Sequence, residues 1–150
     1  MAGSVLVDTN VLVYMMDPRD LAKRAHAARV ISQLQRHSRG VSSQQVLSEF
    51  ARVSSERVPD GPSREELIGA VVDFGRTWRI LPVTPAVIAE ALGVADRTGR
   101  TFWDAQLIAT AKVHGIPTVV SEDFEDGWVC EGVRFVNPFA DGFDPGSLGV

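Results

Sequence analysis

Residues 4–10 read SVLVDTN, an apolar run that stops at three polar residues. A short apolar run bounded by turn-forming residues is typical of a buried β-strand. We predict a first strand over residues 4–7, with Asp8 directly at its carboxyl end. In sheets of parallel strands, ligands bind beyond the carboxyl ends of the strands. Asp8 is therefore the first residue to consider for a functional site, and the alternative is an ordinary turn aspartate or a helix cap.

The rest of the chain alternates between helical and strand-like patterns. Helical spacing of apolar positions predicts helices over residues 21–37, 43–57, 63–78, 84–99 and 101–114. Ser43, Thr84 and Thr101 are predicted to cap three of these helices, and Ser63 with Glu66 to form a capping box for another. Short apolar runs predict strands over residues 79–83, 117–121 and 133–137. This alternation predicts an α/β protein, a three-layer α/β/α sandwich with a central, mostly parallel sheet. Residues 1–137 form one domain in this interpretation, and residues 138–150, rich in Gly, Pro and Asp, form a loosely ordered tail.

The composition is typical of a globular protein. The 150 residues are 45% hydrophobic and 23% charged. No apolar stretch approaches the ~20 residues needed to cross a bilayer, so we expect a cytoplasmic protein with no membrane partner. Cys130 is the single cysteine, which excludes an intrachain disulfide. The net charge of −4 argues against a broad basic surface for nucleic acid, unless clustered carboxylates bind cations that present positive charge.

Glu49 has an unusual position for a charged residue. In the predicted helix over residues 43–57 it shares a face with Val46, Phe50 and Val53. An unpaired carboxylate on an apolar face costs several kcal/mol or becomes protonated. Glu49 should therefore meet an arginine, a hydrogen-bond network or a metal ion.

Asp104 repeats this pattern in the helix after Thr101, since Leu107, Ile108 and Ala111 follow it at helical spacing. We expect the Asp104 side chain to point inward. The alternative is an acid in the first helical turn that complements the helix dipole.

Asp123 follows the predicted strand over residues 117–121, so a second strand ends in acidic residues as the first does. Glu122, Glu125 and Asp126 compete with Asp123 for a role there, and a solvated acidic loop is the alternative. Two acids on helices and two at strand ends suggest one cluster. Oxygen ligands without histidine or cysteine at metal-ligand spacing favour Mg²⁺ or Mn²⁺. Such a site can activate water for phosphodiester hydrolysis.

Four segments carry a resemblance to a known family. They read VLVDTNVL at residues 5–12, SEF at 48–50, FWDA at 102–105 and VVSEDF at 119–124. In this order the chain resembles the PIN-domain family and, within it, the VapC-like toxins of type II toxin-antitoxin systems. The resemblance implies that Asp8, Glu49, Asp104 and Asp123 are catalytic metal ligands, supported by Thr9, Asn10 and Ser121. It also implies cleavage of RNA, a homodimer and a small cognate antitoxin of the VapB-like kind.

Other functions remain as alternatives. A different Mg-dependent phosphoesterase, either a DNA nuclease or a phosphatase, would use a related acidic site, although a phosphatase with an aspartyl nucleophile typically has Asp-x-Asp after its first strand. A catalytically inactive PIN-fold binding module would keep the fold alone. Arg57 and Arg100 are candidates for phosphate contacts, and Trp103 for stacking on a base. For each of these three residues an ordinary solvated or packing role is the stronger expectation.

Overall fold

The computed structural model describes residues 3–150 and has one six-stranded sheet at its centre. The strands lie in the order β3-β2-β1-β4-β6-β5. Their bounds are β1 Val5–Val7, β2 Gly40–Ser43, β3 Arg79–Leu81, β4 Thr118–Val120, β5 Val129–Cys130 and β6 Val133–Val136. All neighbouring strands are parallel except β5, which runs antiparallel to β6. The predicted α/β fold with a mostly parallel sheet is confirmed.

Within the described residues 3–150, six α-helices flank the sheet. They are α1 Thr9–Met16, α2 Leu21–Arg36, α3 Gln44–Glu56, α4 Arg64–Thr77, α5 Pro85–Thr98 and α6 Phe102–Val113. The predicted caps form: Ser43, Thr84 and Thr101 each accept a backbone hydrogen bond in the first turn of the helix that follows. Ser63 and Glu66 form the predicted capping box of α4. None of the helices within residues 3–150 is long and apolar enough to span a membrane.

The register of the central strands determines which polar residues meet. β1 and β4 pair with Leu6 opposite Val119 and Val7 opposite Val120. All three residues of each strand are buried, because helices cover both faces of the sheet. The next residues in the chain are Asp8 and Ser121, so both lie side by side at the carboxyl edge of the sheet.

Three elements were not predicted from the sequence. Helix α1 begins at Thr9, where we expected a polar turn, because the Asp8 side chain accepts a hydrogen bond from Thr9 N and caps a helix of only eight residues. Strand β2 has a weak apolar signal and begins with Gly40, where a Cβ would come within 2.6 Å of the Trp78 ring. Strand β5 has two residues, which is too short for a periodic pattern.

Residues 138–150 make specific contacts, in contrast to the loose tail expected from their composition. A 3₁₀ turn at Pro145–Leu148 carries Leu148, which is only 3% exposed. Arg134 donates a hydrogen bond of 2.8 Å to the carbonyl of Ser147, and Phe139 packs edge to face against Tyr14. These contacts hold the segment against the core. The domain boundary at residue 137 stays a prediction.

Candidate active site

Asp8 is a buried carboxylate at the carboxyl end of the central strand β1. The residue is 8% exposed, and its side chain accepts hydrogen bonds of 2.7 Å from Thr9 N and 2.7 Å from Ser121 Oγ. The pKa of Asp8 is raised to about 6, chiefly by burial and to a smaller extent by the charges of Asp123 and Glu49, although the hydrogen bonds from Ser121 and Thr9 oppose the shift. The fold thus keeps a carboxylate where its negative charge is poorly solvated.

Asn10 and Ser121 connect Asp8 to the loop after β4. The Asn10 amide group donates to Ser121 Oγ and to Asp123 Oδ2, both at 3.1 Å. Asn10 Oδ1 accepts a hydrogen bond from Glu122 N, and Ser121 Oγ accepts one from Asp123 N. Asn10 and Ser121 therefore fix the position of Asp123 relative to Asp8.

Glu49 lies on α3 between the buried residues Val46 and Phe50 and is itself half-buried. Its carboxylate accepts hydrogen bonds from Thr9 Oγ1 at 3.1 Å and from Gln45 Nε2 at 3.3 Å. Glu49 therefore lies on an apolar face of α3, as predicted, and its carboxylate accepts hydrogen bonds from two neutral side chains. Through Thr9, the start of α1 joins Glu49 to Asp8.

Asp104 lies in the first turn of α6, and its side chain is 40% exposed. The expectation that it points into the interior was wrong. Residues 105–111 of α6 are all buried, but the first turn of the helix, which contains Asp104, is partly exposed. Asp104 instead faces the rim of a cleft, where Arg100 Nη1 approaches Asp104 Oδ2 to 3.6 Å.

The loop after β4 offered four candidates for the fourth acid, and the structure separates them. Glu125 is exposed and does not line the cleft. Asp123 lines the same cleft as the other three acids. Glu122 turns away and forms an ion pair of 2.8 Å with Lys23. Asp126 accepts a hydrogen bond from Asn137 N. Asp123 is therefore the candidate that the geometry favours.

The four acids line a single cleft with a volume of about 360 Å³. Thr9 and Asn10 line it too, whereas Ser121 is buried behind it. Of the ion pairs formed within residues 3–150, none includes Asp8, Glu49 or Asp123. Asp8, Glu49 and Asp123 are consequently a concentration of negative charge without a paired cation among the described residues, since Arg19 in the same cleft pairs with Asp17 and Arg100 lies beside Asp104.

The donor set of the cleft suits a hard divalent cation, since it consists of carboxylate, hydroxyl and amide oxygens. In the described part of the chain, however, no three His, Cys, Asp or Glu side chains stand in an arrangement that could hold a metal ion as it is. The acids share a cleft but do not converge into a closed cage. Binding of a cation would have to draw them together.

Several cleft residues were missed or undervalued at the sequence level. Gln45 lies one helical turn before Glu49, and this i, i+4 spacing was the available signal for its contact. Arg19 enters the cleft from the loop after α1, held by Asp17 at 2.7 Å.

Trp103, for which we expected a packing role, is 62% exposed beside the acids. Arg100 stacks over the Phe124 and Trp128 rings at 4.6 Å, and Arg57 does not line the cleft.

These features define a class of protein: an α/β fold whose central parallel strands end in an acidic cleft. A family model described as PIN domain matches residues 5–125. The chain belongs to the PIN domain family. Comparison of the sequence with curated proteins gave no significant match.

Solved structures share this fold at low sequence identity. A toxin-antitoxin complex from Klebsiella pneumoniae matches with a TM-score of 0.66 and 17% identity, over 91% of this chain and 98% of that chain. VapC20 from Mycobacterium tuberculosis, a toxin that cleaves the sarcin-ricin loop, matches with a TM-score of 0.61 and 20% identity, over 77% and 87%. VapBC2 from Rickettsia felis, bound to a fragment of promoter DNA, matches with a TM-score of 0.60 and 14% identity, over 87% and 96%. These matches support the fold.

Proposed function

We propose that this chain is a divalent-metal-dependent endoribonuclease that hydrolyses phosphodiester bonds in RNA. The observation that carries the proposal is the cleft itself, which is lined by four acids from distant segments, among them the buried carboxylate of Asp8. Structural ion pairing does not account for Asp8, Glu49 and Asp123, because none of them joins the ion pairs formed within residues 3–150. A bound Mg²⁺ or Mn²⁺ would supply the missing positive charge.

Asp8, Glu49, Asp104 and Asp123 are the residues that would hold the metal. When bound, the metal supplies positive charge to the phosphate and lowers the pKa of water. Ser121 and Asn10 keep the carboxylates of Asp8 and Asp123 in fixed orientations through their hydrogen bonds. Thr9 and Gln45 do the same for Glu49. Orientation of ligands by such neighbours commonly changes metal affinity or activity by about 10- to 100-fold.

Asp104 differs from the other three acids because a cation already lies beside it. The guanidinium of Arg100 is 3.6 Å from the Asp104 carboxylate, and two aromatic rings hold that guanidinium in place. Before a metal arrives, this contact lowers the repulsion between Asp104 and the other acids. Asp104 lines the cleft with the other three acids, so it could hold a metal together with them while Arg100 offsets part of its charge.

The biological setting that we propose is a toxin-antitoxin pair. The proteins of similar fold include the toxin-antitoxin complex from Klebsiella pneumoniae and the VapBC2 complex from Rickettsia felis, and VapC20 is a toxin that cleaves an RNA loop. By analogy this chain would be the toxin, active as a cytoplasmic homodimer and blocked by a small VapB-like antitoxin. RNA rather than DNA is the proposed substrate, on the same analogy.

The direct test is cleavage of single-stranded RNA by the purified protein. We expect cutting with Mg²⁺ or Mn²⁺, none after chelation, and restoration when the metal is added back. Asp8→Asn and Asp104→Asn should abolish cutting while circular dichroism shows an intact fold. Glu125→Gln is a matched control, since Glu125 is exposed and does not line the cleft.

Three outcomes would contradict the proposal. Unchanged cleavage in both Asp8→Asn and Asp104→Asn would show that the acidic cleft is not the active site. Cleavage of DNA alone, or release of phosphate from small esters without RNA cleavage, would favour another phosphoesterase. Binding of RNA without any cleavage under all metal conditions would favour an inactive binding module.

A further inference from the structure

Trp103 is exposed in a way that the other two tryptophans are not. Its exposed fraction is 62%, against 5% for Trp78, and Trp128 packs on the rings of Phe124 and Phe135. A large aromatic ring left in water beside a functional cleft is a candidate binding surface. What sets Trp103 apart from the other exposed apolar residues is that its ring lies beside the acidic cleft.

Trp103 stands at the junction of two clefts. One is the acidic cleft described above. The other, which we term the amide cleft, has a volume of about 600 Å³ and shares Gln45, Glu49 and Trp103 with the first. Its remaining lining residues are Gln44, Ser48, Arg52, Val83 and Gln106. A chain molecule bound at the acids would therefore pass Trp103 as it enters the amide cleft.

The position of Trp103 is fixed by hydrogen bonds between α3 and α6. Gln45 Nε2 donates to the Trp103 carbonyl at 3.1 Å, and Gln106 Nε2 donates to Gln45 Oε1 at 2.8 Å. The same Gln45 side chain contacts Glu49 at 3.3 Å. The backbone of Trp103 is consequently held at a defined position relative to one of the proposed metal ligands, and the indole contacts the Phe102 ring edge to face.

The chemistry of the amide cleft suits a nucleobase. Six of its eight lining residues are polar or charged, among them three glutamines and a serine, and amides and hydroxyls can donate to and accept from the edges of bases. The volume falls in the range of small-ligand sites, about 300–1,000 Å³. Val83 and Trp103 add apolar surface to this lining, against which the face of a base can pack. Arg52, whose side chain is 49% exposed, lies where a further phosphate of the chain could contact it.

We propose that Trp103 and the amide cleft form a nucleobase-binding subsite, in which a base next to the scissile phosphate stacks on the Trp103 indole. The inference rests on the proposed nuclease function and extends it to substrate recognition. Stacking of a base on an aromatic ring contributes about 1–3 kcal/mol and tolerates any base. The subsite therefore selects unpaired nucleotides over paired ones.

The test compares two ligands with equal phosphate charge. A labelled oligouridylate and an abasic ribose-phosphate chain of the same length are titrated by fluorescence anisotropy, with Mg²⁺, into the Asp8→Asn protein to prevent cutting. We expect the oligouridylate to bind more tightly. Adding Trp103→Ala should weaken oligouridylate binding by about 5- to 150-fold, the equivalent of 1–3 kcal/mol, and leave abasic-chain binding unchanged. Trp103→Phe should retain most of the affinity, and Val129→Ala, at an equally exposed apolar residue outside both clefts, should retain all of it.

A second measurement uses the active protein. Trp103→Ala should raise KM for RNA with little change in kcat, because the base contact is made in the bound substrate as well as in the transition state.

Equal loss of affinity for both ligands in the binding titration, or no loss for either, would overturn the proposed subsite even if wild-type protein cleaves RNA. Failure of the parent to bind either ligand would overturn it as well. If the parent prefers oligouridylate as expected but wild-type protein cleaves nothing, the subsite stands and the nuclease proposal fails. A change in oligomeric mass on Trp103→Ala, without a change in RNA binding, would assign Trp103 to a protein contact instead.

Discussion

The Ser121 hydroxyl donates a hydrogen bond of 2.7 Å to Asp8 Oδ2 across the pair of central strands β1 and β4. Both residues are buried, and 113 positions in the chain separate them. Ser121 Oγ also accepts hydrogen bonds from Asn10 and from Asp123 N. A single hydroxyl group thus holds two proposed metal ligands, Asp8 and Asp123, in place through hydrogen bonds.

Ser121→Ala should reduce RNA cleavage by about 10- to 100-fold and stability by about 1 kcal/mol. The reason is that Asp8 loses a donor and Asp123 its anchor. The chain offers a matched control in Ser42, which is buried in the neighbouring strand β2 with a hydroxyl that lacks a hydrogen-bond partner. Ser42→Ala should affect neither rate nor stability by a comparable amount. Rates of cleavage and urea-unfolding curves for both variants decide the matter, and equal effects would contradict the role of Ser121.

Asp8→Asn should stabilise the metal-free protein while it removes activity. The pKa of Asp8 in the folded protein is raised from 3.8 to about 6, so the folded state holds this proton more tightly than the unfolded state does. The wild-type protein therefore loses stability as pH rises from about 4 to 6 and stays at the lower value above 6. The amide does not titrate, and we expect it to gain about 1–2 kcal/mol at pH 7.

Thermal unfolding in a chelating buffer at several pH values measures this difference. The advantage of the variant should grow between pH 4 and pH 6 and then level off. Added Mg²⁺ should stabilise wild-type protein more than the variant, because the metal binds the folded state. A variant that is less stable than wild type at every pH would show that Asp8 contributes chiefly to folding.

Asp123→Asn should abolish RNA cleavage, whereas Asp126→Asn should retain nearly full activity. Asp123 lines the acidic cleft and accepts a hydrogen bond from Asn10, but Asp126 contacts the backbone of Asn137 outside it. The two variants make the same chemical change three residues apart. Measured cleavage rates with saturating Mg²⁺ compare them, and the reverse ranking would assign the fourth ligand to Asp126.

Glu131→Gln should lower stability at neutral pH by about 1 kcal/mol and lose this effect in acid. Hydrogen bonds from Arg97 at 2.7 Å and Lys112 at 2.9 Å lower the pKa of Glu131 from 4.5 to about 2. The stability contributed by this carboxylate is present above pH 4.5 and disappears as pH falls toward 2. Unfolding free energies of both proteins between pH 2 and pH 7 test this, and a constant difference across that range would contradict it. RNA cleavage at neutral pH should not change, because Glu131 lies outside the acidic cleft.

The amino-acid sequence determined the local elements and the chemical type of the site. Caps such as Ser43 and the Ser63–Glu66 box specify where helices begin, because their contacts lie within a few residues of each other. Asp8 could be placed at a strand end by the apolar run before it, and Glu49 on an apolar face by helical spacing. These are local patterns that a sequence displays directly.

Only the tertiary structure decided which acids line the cleft and which are paired with other residues outside it. Asp123, Glu122 and Asp126 are equivalent in the sequence, and they differ only because Asn10, Lys23 and Asn137 lie beside them in the folded chain. Likewise the exposure of Trp103 depends on how α6 meets α3, which no spacing within α6 reveals. The physical reason is that burial and pairing depend on contacts between segments far apart in the chain. A sequence shows such residues singly, and the fold decides how they combine.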